Sequence, residues 1–148
     1  MSINFKIATP ERVVYKEEVK SITLPTQVGE ITILPNHVPL ISVLQSGEIK
    51  VDTGKEKISM SVAGGFVEVL STKVVVLADR AEKSEEIDIK RAEKAVERAK
   101  ELREKKTADS REFASLSAQI EKELARIKVG RKHARRVEQR GYGAKKYK

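Results

Sequence analysis

The spacing of apolar residues along this chain changes once, near Arg80, and that change limits what the chain can fold into. Before it, apolar and polar residues alternate in short stretches rich in β-branched residues, such as 30–34 and 48–52. Alternation with a period of two predicts half-buried β-strands. After it, apolar residues recur at steps of three and four, which predicts α-helices. We therefore expect a β unit followed by an α unit.

Gly and Pro residues divide the first half into several short segments. Short strands at close spacing predict a β-sandwich or barrel over residues 1–84. A βαβ fold is excluded because no helical stripe lies between the strands. In the stretch 19–24 the alternation predicts a single strand, with Val19 and Ile22 on opposite faces.

Two amphipathic stripes mark two helices in the second half. The first contains Ala92, Ala95, Val96, Ala99 and Leu102, and the second contains Phe113, Leu116, Ile120, Leu124 and Ile127. The short interruption between them predicts an antiparallel helical hairpin over residues 85–130. Because the first stripe is mostly alanine, the helices bury little apolar area against each other. We expect a marginally stable hairpin that folds back against the β unit or opens and extends.

Residues that favour helix starts precede both stripes. Ser84 is followed by Glu85 and Glu86, which place carboxylates at the positive end of the helix dipole and predict the start of the first helix. Asp109 and Glu112 have the spacing of a capping box, which predicts Asp109 as the cap of the second helix.

The net charge of +8 is concentrated at one end of the chain. Nearly all of the excess lies in residues 130–148, whereas residues 1–79 are close to neutral. High charge with few apolar residues is typical of segments that do not pack, so we expect residues 131–148 to form a flexible basic tail.

The residue types that carry enzyme chemistry are scarce. The chain has no Cys and two His, His37 and His133, in unrelated segments, so no metal-ligand spacing is present. The glycine spacing in 47–55 does not fit a phosphate loop, and Glu56 stands where Ser or Thr should hold magnesium. No apolar run has the length of a membrane span, and no signal-peptide pattern is present. We expect a soluble, cytosol-facing protein without catalytic activity.

Four segments, taken in order, resemble the epsilon subunit of bacterial and chloroplast F-type ATP synthases. They are 28–40 (VGEITILPNHVPL), 44–51 (LQSGEIKV), 64–69 (GGFVEV) and 87–92 (IDIKRA), together with the strand 74–78 (VVVLA). The resemblance extends from residue 3 to about residue 130. It implies a β-sandwich of about ten short strands followed by a two-helix hairpin. It also implies a non-catalytic rotor subunit that couples proton-driven or sodium-driven rotation to ATP synthesis and inhibits ATP hydrolysis through its C-terminal helices.

The resemblance also implies partners and a location. The expected partners are the gamma subunit, the c-ring and the catalytic beta and alpha subunits, at the cytoplasmic face of a bacterial inner membrane. The chain is expected to associate with the membrane only through the complex. Glu30 matches the loop that faces the ring, and His37 matches a position near the gamma contact. His37 also follows Leu34-Pro35-Asn36, where it is equally expected to cap a turn.

In some bacterial relatives the hairpin binds ATP without hydrolysing it. The resemblance places this regulatory site at Glu82, Ile87, Asp88, Arg91, Ala92, Arg98 and Arg126, and it requires no other cofactor. Arginine suits phosphate because its planar guanidinium makes paired hydrogen bonds. Two alternatives remain open: Asp88 favours a helix start without any ligand, and Arg98 also fits a solvated charged face. Lys122 stands where ATP-binding relatives carry another arginine.

A second class of function is a nucleic-acid-binding module, which the pI of about 9.7 and the basic tail favour. The near-neutral first half and the lack of interleaved aromatic and basic residues argue against it. We therefore expect no nucleic-acid partner.

Overall fold

The computed structural model describes the backbone of residues 1–146 and the side chains of residues 1–140. Contacts between residues divide the chain into two compact units, one of residues 1–83 and one that begins at Ser84.

The first unit consists of ten strands in two five-stranded sheets. The strands are β1 (Ile3–Ala8), β2 (Val13–Val19), β3 (Ser21–Thr26), β4 (Gly29–Ile33), β5 (Leu40–Val43), β6 (Gly47–Asp52), β7 (Lys57–Ala63), β8 (Phe66–Val69), β9 (Lys73–Leu77) and β10 (Arg80–Lys83). Sheet 1 has the order β2-β1-β9-β8-β5, and sheet 2 has the order β10-β7-β6-β3-β4. The predicted β-sandwich is confirmed.

All strand pairs are antiparallel except β1 with β9, which run parallel in the middle of sheet 1. The core lies between the two sheets and is mostly β-branched, as expected for pleated surfaces that pack face to face. Phe5 and Tyr15 are its aromatic members, with ring centroids 5.8 Å apart. Burial, followed by the neighbouring Glu17 carboxylate, raises the pKa of Tyr15 to about 12.

The stretch 19–24 is not the single strand that its alternation predicts. Strand β2 ends at Val19 in sheet 1, and β3 begins at Ser21 in sheet 2. Val19 and Ile22 are both buried in the core although alternation places them on opposite faces. The chain crosses from one sheet to the other at Lys20. Because of this crossing, odd-numbered Val19 faces the core before it and even-numbered Ile22 faces the core after it.

Gly65 shows why the turn before β8 needs glycine. Its φ is 107°, a conformation that side chains rarely adopt, and a Cβ at this position would overlap the carbonyl oxygen of Leu77. The backbone of the turn therefore lies directly against β9.

The second unit is a helical hairpin. A single 3₁₀ turn covers Ser84–Glu86, and two helices follow, α1 (Ile89–Glu104) and α2 (Arg111–Lys146). We call α1 and α2 together the hairpin. The predicted helical hairpin after the β-sandwich is confirmed.

Both predicted helix starts differ from those observed. Ser84 begins the 3₁₀ turn, and the cap of α1 is Asp88, whose Oδ1 accepts a hydrogen bond from the Arg91 N–H at 3.1 Å. The cap of α2 is Ser110 rather than Asp109, because the Ser110 Oγ accepts the Phe113 N–H at 3.1 Å. In both helices a polar side chain directly before the first helical residue is preferred over one further away.

Helix α2 also continues past Gly130, where the predicted hairpin ends, and extends to Lys146. Glycine lowers helix propensity by about 1 kcal/mol relative to alanine, which a long helix with favourable residues on both sides tolerates. Whether residues 131–148 are flexible stays a prediction, and its last two residues lie outside the described part of the chain.

Candidate functional site

An exposed row of apolar side chains crosses the outer face of sheet 1. It contains one residue from each strand, in the order Val13, Ala8, Leu77, Phe66 and Val43, and each is the direct cross-strand partner of the next. We call these five residues the apolar row. Phe66 is 46% exposed and Val43 is 49% exposed. Cross-strand partners have Cβ atoms about 5 Å apart, so the row forms one continuous patch.

Charged residues border this row. Ile41, 73% exposed, extends it along β5, while Glu68 and Lys6 occupy the same line of cross-strand positions on β8 and β1. Single exposed apolar residues are ordinary, but a contiguous patch with a polar border is typical of a protein interface. The patch could not be predicted from the sequence, because only the strand register brings its members together.

The two residues predicted to contact the stalk and the ring lie at different places in the sandwich, His37 in a loop and Glu30 on a strand. His37 is half-buried between β4 and β5, where its Nδ1 lies 2.7 Å from the Val38 carbonyl oxygen and its N–H donates to Leu34. These bonds fit the turn-capping interpretation. Glu30 lies on the edge strand β4, 3.5 Å from the ammonium group of Lys50. The adjacent turn carries Val28, which is 90% exposed.

The hairpin interface is small. Its buried members are Ala92, Val96, Ala99, Ile120 and Ile127, with Ile89 and Leu116 packed against them. At the connected end, Arg103 donates to the Ser117 hydroxyl at 3.4 Å and stacks 5.5 Å from the centre of the Phe113 ring. The hairpin is therefore held by few large side chains.

Four of the seven predicted nucleotide residues lie together at the start of α1. Ile87 and Asp88 precede the helix, Arg91 is exposed on its first turn, and Ala92 is fully buried in the hairpin interface. Arg98 is exposed two turns further along the same helix.

The other two predicted residues differ in setting. Arg126 is buried on α2, and its Nη1 donates to the Glu123 carboxylate at 2.6 Å. Glu82 belongs to the first unit, on β10, 3.7 Å from Arg80. The sequence reasoning missed Glu123, although its spacing of three residues before Arg126 is the signal of an ion pair on one helix face.

A groove of about 450 Å³ follows one side of α2. It is lined by Leu124, Ile127, Lys128, Arg131, Lys132 and Arg135. These cations give α2 a positive edge.

Among the residues that the structure describes, no group of His, Cys, Asp and Glu could hold a metal ion. No helix in the described part of the chain is long and apolar enough to cross a membrane.

Two family models match consecutive parts of this chain. The model of the beta-sandwich domain of the ATP synthase delta/epsilon chain matches residues 2–84, and the model of its long alpha-helix domain matches residues 85–130. The chain belongs to the ATP synthase delta/epsilon chain family. The predicted identity as an epsilon-type rotor subunit of an F-type ATP synthase is thereby confirmed, and the complex to which it belongs is membrane-bound.

Individual relatives agree with this assignment. The chain is 43% identical over 130 residues to the ATP synthase epsilon chain of Dehalococcoides mccartyi, covering 88% of this chain and 93% of that one. It is 49% identical over 107 residues to the epsilon chain of Carboxydothermus hydrogenoformans, covering 71% and 78%.

Among solved structures, a chain of the Euglena gracilis mitochondrial ATP synthase matches with a TM-score of 0.73 at 24% identity, covering 84% of this epsilon-type chain and 78% of that one. This likeness supports the fold of the family member described here.

Proposed function

We propose that this chain is a non-catalytic rotor subunit that binds the gamma subunit through the apolar row. In that position it contacts the c-ring, transmits ion-driven rotation for ATP synthesis, and restrains ATP hydrolysis by the catalytic beta and alpha subunits through the hairpin. The location that fits this role is the cytoplasmic face of a bacterial inner membrane. The exposed apolar row is the observation that carries the proposal.

The apolar row suits a permanent partner better than a transient one. Burying exposed apolar surface stabilises a complex by about 25 cal/mol per Å², and salt does not screen this contribution. A torque-bearing joint needs such a contact, because an interface of surface ion pairs weakens at physiological ionic strength.

Co-purification with the gamma subunit tests this assignment. Phe66→Glu places a carboxylate within the row, between Leu77 and Val43, so we expect it to abolish recovery of gamma at low and high salt. Val28→Glu is the matched control, because it makes the same kind of change at an exposed apolar site away from the row, in the turn between β3 and β4. Equal recovery of gamma with both variants would exclude the row as the stalk contact. A nucleic-acid-binding module would instead hold its partner through charge and release it at high salt.

For the c-ring contact we propose the turn between β3 and β4, with Val28 at its tip and Glu30 beside it. The carboxylate of Glu30 is half-exposed and near Lys50, so it remains accessible to a polar loop of a partner. Glu30→Gln removes the charge with little change in shape, and cross-linking of position 28 to the ring measures whether the contact persists.

For regulation we propose that the hairpin opens to inhibit ATP hydrolysis, with the positive edge of α2 directed at acidic segments of the catalytic subunits. A disulfide offers a direct test, because the chain has no Cys. A Cβ built on Gly130 lies 3.4 Å from the Ile87 Cβ, close to the separation of about 3.8 Å found in disulfides. The covalent bond between Ile87→Cys and Gly130→Cys should therefore lock the hairpin closed, even though the new Cβ at position 130 crowds Ile89.

ATP hydrolysis by the assembled complex is the measurement. We expect the oxidised double variant to hydrolyse ATP faster than the reduced one, because a locked hairpin cannot inhibit. The single variant Ile87→Cys controls for the substitution and should not respond to reductant. Equal rates in the oxidised and reduced states would refute inhibition by an opened hairpin.

We further propose that ATP binds the start of α1 as a regulatory ligand, through Ile87, Asp88, Arg91 and Ala92. Arg98, Arg126 and Glu82 complete the proposed set. Support comes from the exposed guanidinium groups of Arg91 and Arg98, which are seven residues apart and so share a helix face. Arg126 contributes only if phosphate competes with its partner Glu123.

Calorimetric titration of the free chain with ATP tests this site. Arg91→Ala should abolish saturable binding, whereas Lys90→Ala, which removes the same charge from the neighbouring exposed position, should not. Absence of binding at millimolar ATP would remove nucleotide control and leave the rotor function in place.

A further inference from the structure

Gly130 lies inside α2, where glycine is unfavourable, and the structure supplies a packing reason for it. A Cβ at this position would lie 2.9 Å from the Ile89 Cγ1 and 3.1 Å from the Ile87 Cγ2. Ile89 is the first residue of α1 and Ile87 lies just before it, and Gly130 itself is buried. The missing side chain is therefore a notch in α2 that receives two β-branched side chains of the facing segment.

An ion pair lies beside this notch. The Nη2 of Arg131, the residue after Gly130, donates to the Oε1 of Glu93, one turn into α1. Both side chains are about half exposed, so the pair is accessible to salt. The notch and the ion pair join the same two segments, and Arg131 lies just beyond the part of the chain that the family model matches.

The notch and the ion pair lie at the end of the hairpin where contacts affect its opening most. At the other end of the hairpin, residues 105–110 connect the helices covalently. The free ends carry no such connection, and the buried interface between the helices is small, consisting of Ala92, Val96, Ala99, Ile120 and Ile127. Because the two helices can separate first only at their unconnected end, contacts there set how often the hairpin opens.

We propose that Gly130, Ile87, Ile89 and the Glu93–Arg131 ion pair form a latch that sets the balance between the closed and open hairpin. This inference rests on the proposed regulatory function, because it names the device that would control it. The latch combines a steric part, which requires glycine at position 130, with an electrostatic part, which weakens as ionic strength rises.

The distance between the helices in the free full-length chain measures the latch. Because the chain has no Cys, spin labels at Lys94→Cys and Lys128→Cys, both exposed positions outside the latch, report one distance by pulsed electron paramagnetic resonance. The closed hairpin gives a short distance and the open hairpin a longer one.

Gly130→Leu fills the notch. Overpacking of this kind predicts that the ratio of open to closed hairpin rises by about tenfold or more, while the helix content by circular dichroism stays equal or rises, because leucine favours helices. Ala118→Leu, an exposed substitution on the same helix, is the control and should leave the distances unchanged. An unchanged distance distribution in Gly130→Leu would overturn the steric part, and so would a loss of helix content in parallel with opening.

Charge reversal tests the electrostatic part separately. Glu93→Arg should raise the open fraction by about two- to fivefold, and combining it with Arg131→Glu should restore the original balance. Glu97→Arg makes the same change one turn away at an exposed position and should have no effect. If the double reversal fails to restore closure, the ion pair is not part of the latch. These distances need no partner subunit, so a negative result removes the latch without affecting the test of gamma binding.

Discussion

The two units of this chain differ sharply in how much they bury. The sandwich core contains twenty buried side chains, most of them Val, Ile or Leu. Among the side chains that the structure describes, the hairpin interface contains five, and two of these are alanine. Burial of apolar area is the main stabilising contribution to folding. The first unit therefore has the larger stabilisation, and the small interface of the second fits the proposed opening of the hairpin.

This contrast assigns the two proposed roles to different units, binding of the gamma subunit to the first and regulation to the second. The rigid unit presents the apolar row, whose geometry depends on five strands staying in register. The weakly packed unit carries the latch and the candidate nucleotide residues, whose role requires movement. Stability measurements on each unit test whether the two units differ in this way.

Among these substitutions, the largest loss of folding stability is expected in the sandwich core. Phe5→Ala removes the largest fully buried side chain and its contact with Tyr15, and it should lower the free energy of unfolding by about 3–5 kcal/mol. Urea denaturation followed by circular dichroism in the strand region measures this change. A loss below about 1 kcal/mol would contradict a tightly packed core.

The corresponding change in the hairpin should be smaller and local. Ile120→Ala removes one of the few large side chains of that interface and should destabilise the hairpin by about 2 kcal/mol, at the lower end for such changes. Hydrogen–deuterium exchange should become faster in α1 and α2 and stay unchanged in the strands. Faster exchange throughout the sandwich would show that the two units unfold together.

High pH should weaken the sandwich through Tyr15. Its pKa is raised to about 12 in the folded chain, against about 10 in an unfolded chain, so the folded state favours the neutral phenol. The stability that this provides is complete below about pH 10 and is lost as the pH rises toward about 12. Absorbance at 295 nm should show one late-ionising tyrosine, and Tyr15→Phe should remove it.

The smallest effect concerns the helix cap. Ser110→Ala should destabilise the hairpin by about 1 kcal/mol, because the Phe113 N–H loses its acceptor. Asp109→Ala is the matched comparison and should have less effect. The opposite order in exchange rates of the first turn of α2 would restore Asp109 as the cap.

Local patterns in the sequence predicted the elements better than their arrangement. The change of period near Arg80 separated the two units. Asp88 was recognised as a residue that favours a helix start, although the first helix was predicted to begin at Ser84. Sheet order was not predictable, because the parallel pairing of β1 with β9 depends on contacts between distant residues. The crossing at Lys20 was missed for the same reason, since alternation does not record which sheet a strand joins.

In the candidate site, too, contacts between residues close in sequence were predictable and contacts between distant residues were not. Residues close in sequence, such as Ile87 to Ala92, could be placed together before the structure was known. Phe66 and Val43 could not, because only register makes them neighbours. Gly130 carried a signal, a lone glycine in a helical pattern, but its packing partners come from another element.

The position of β1 in sheet 1 determines when this sheet can be completed during translation. Phe5 lies in the middle of sheet 1, and its neighbour on one side is Val74 of β9. On a ribosome the first strand is synthesised long before this neighbour exists, so sheet 1 stays incomplete until almost the whole first unit has been translated. Until then the apolar side chains of β1 have no complete core to pack into. The nascent chain therefore depends on chaperones that bind exposed apolar segments to protect it from aggregation.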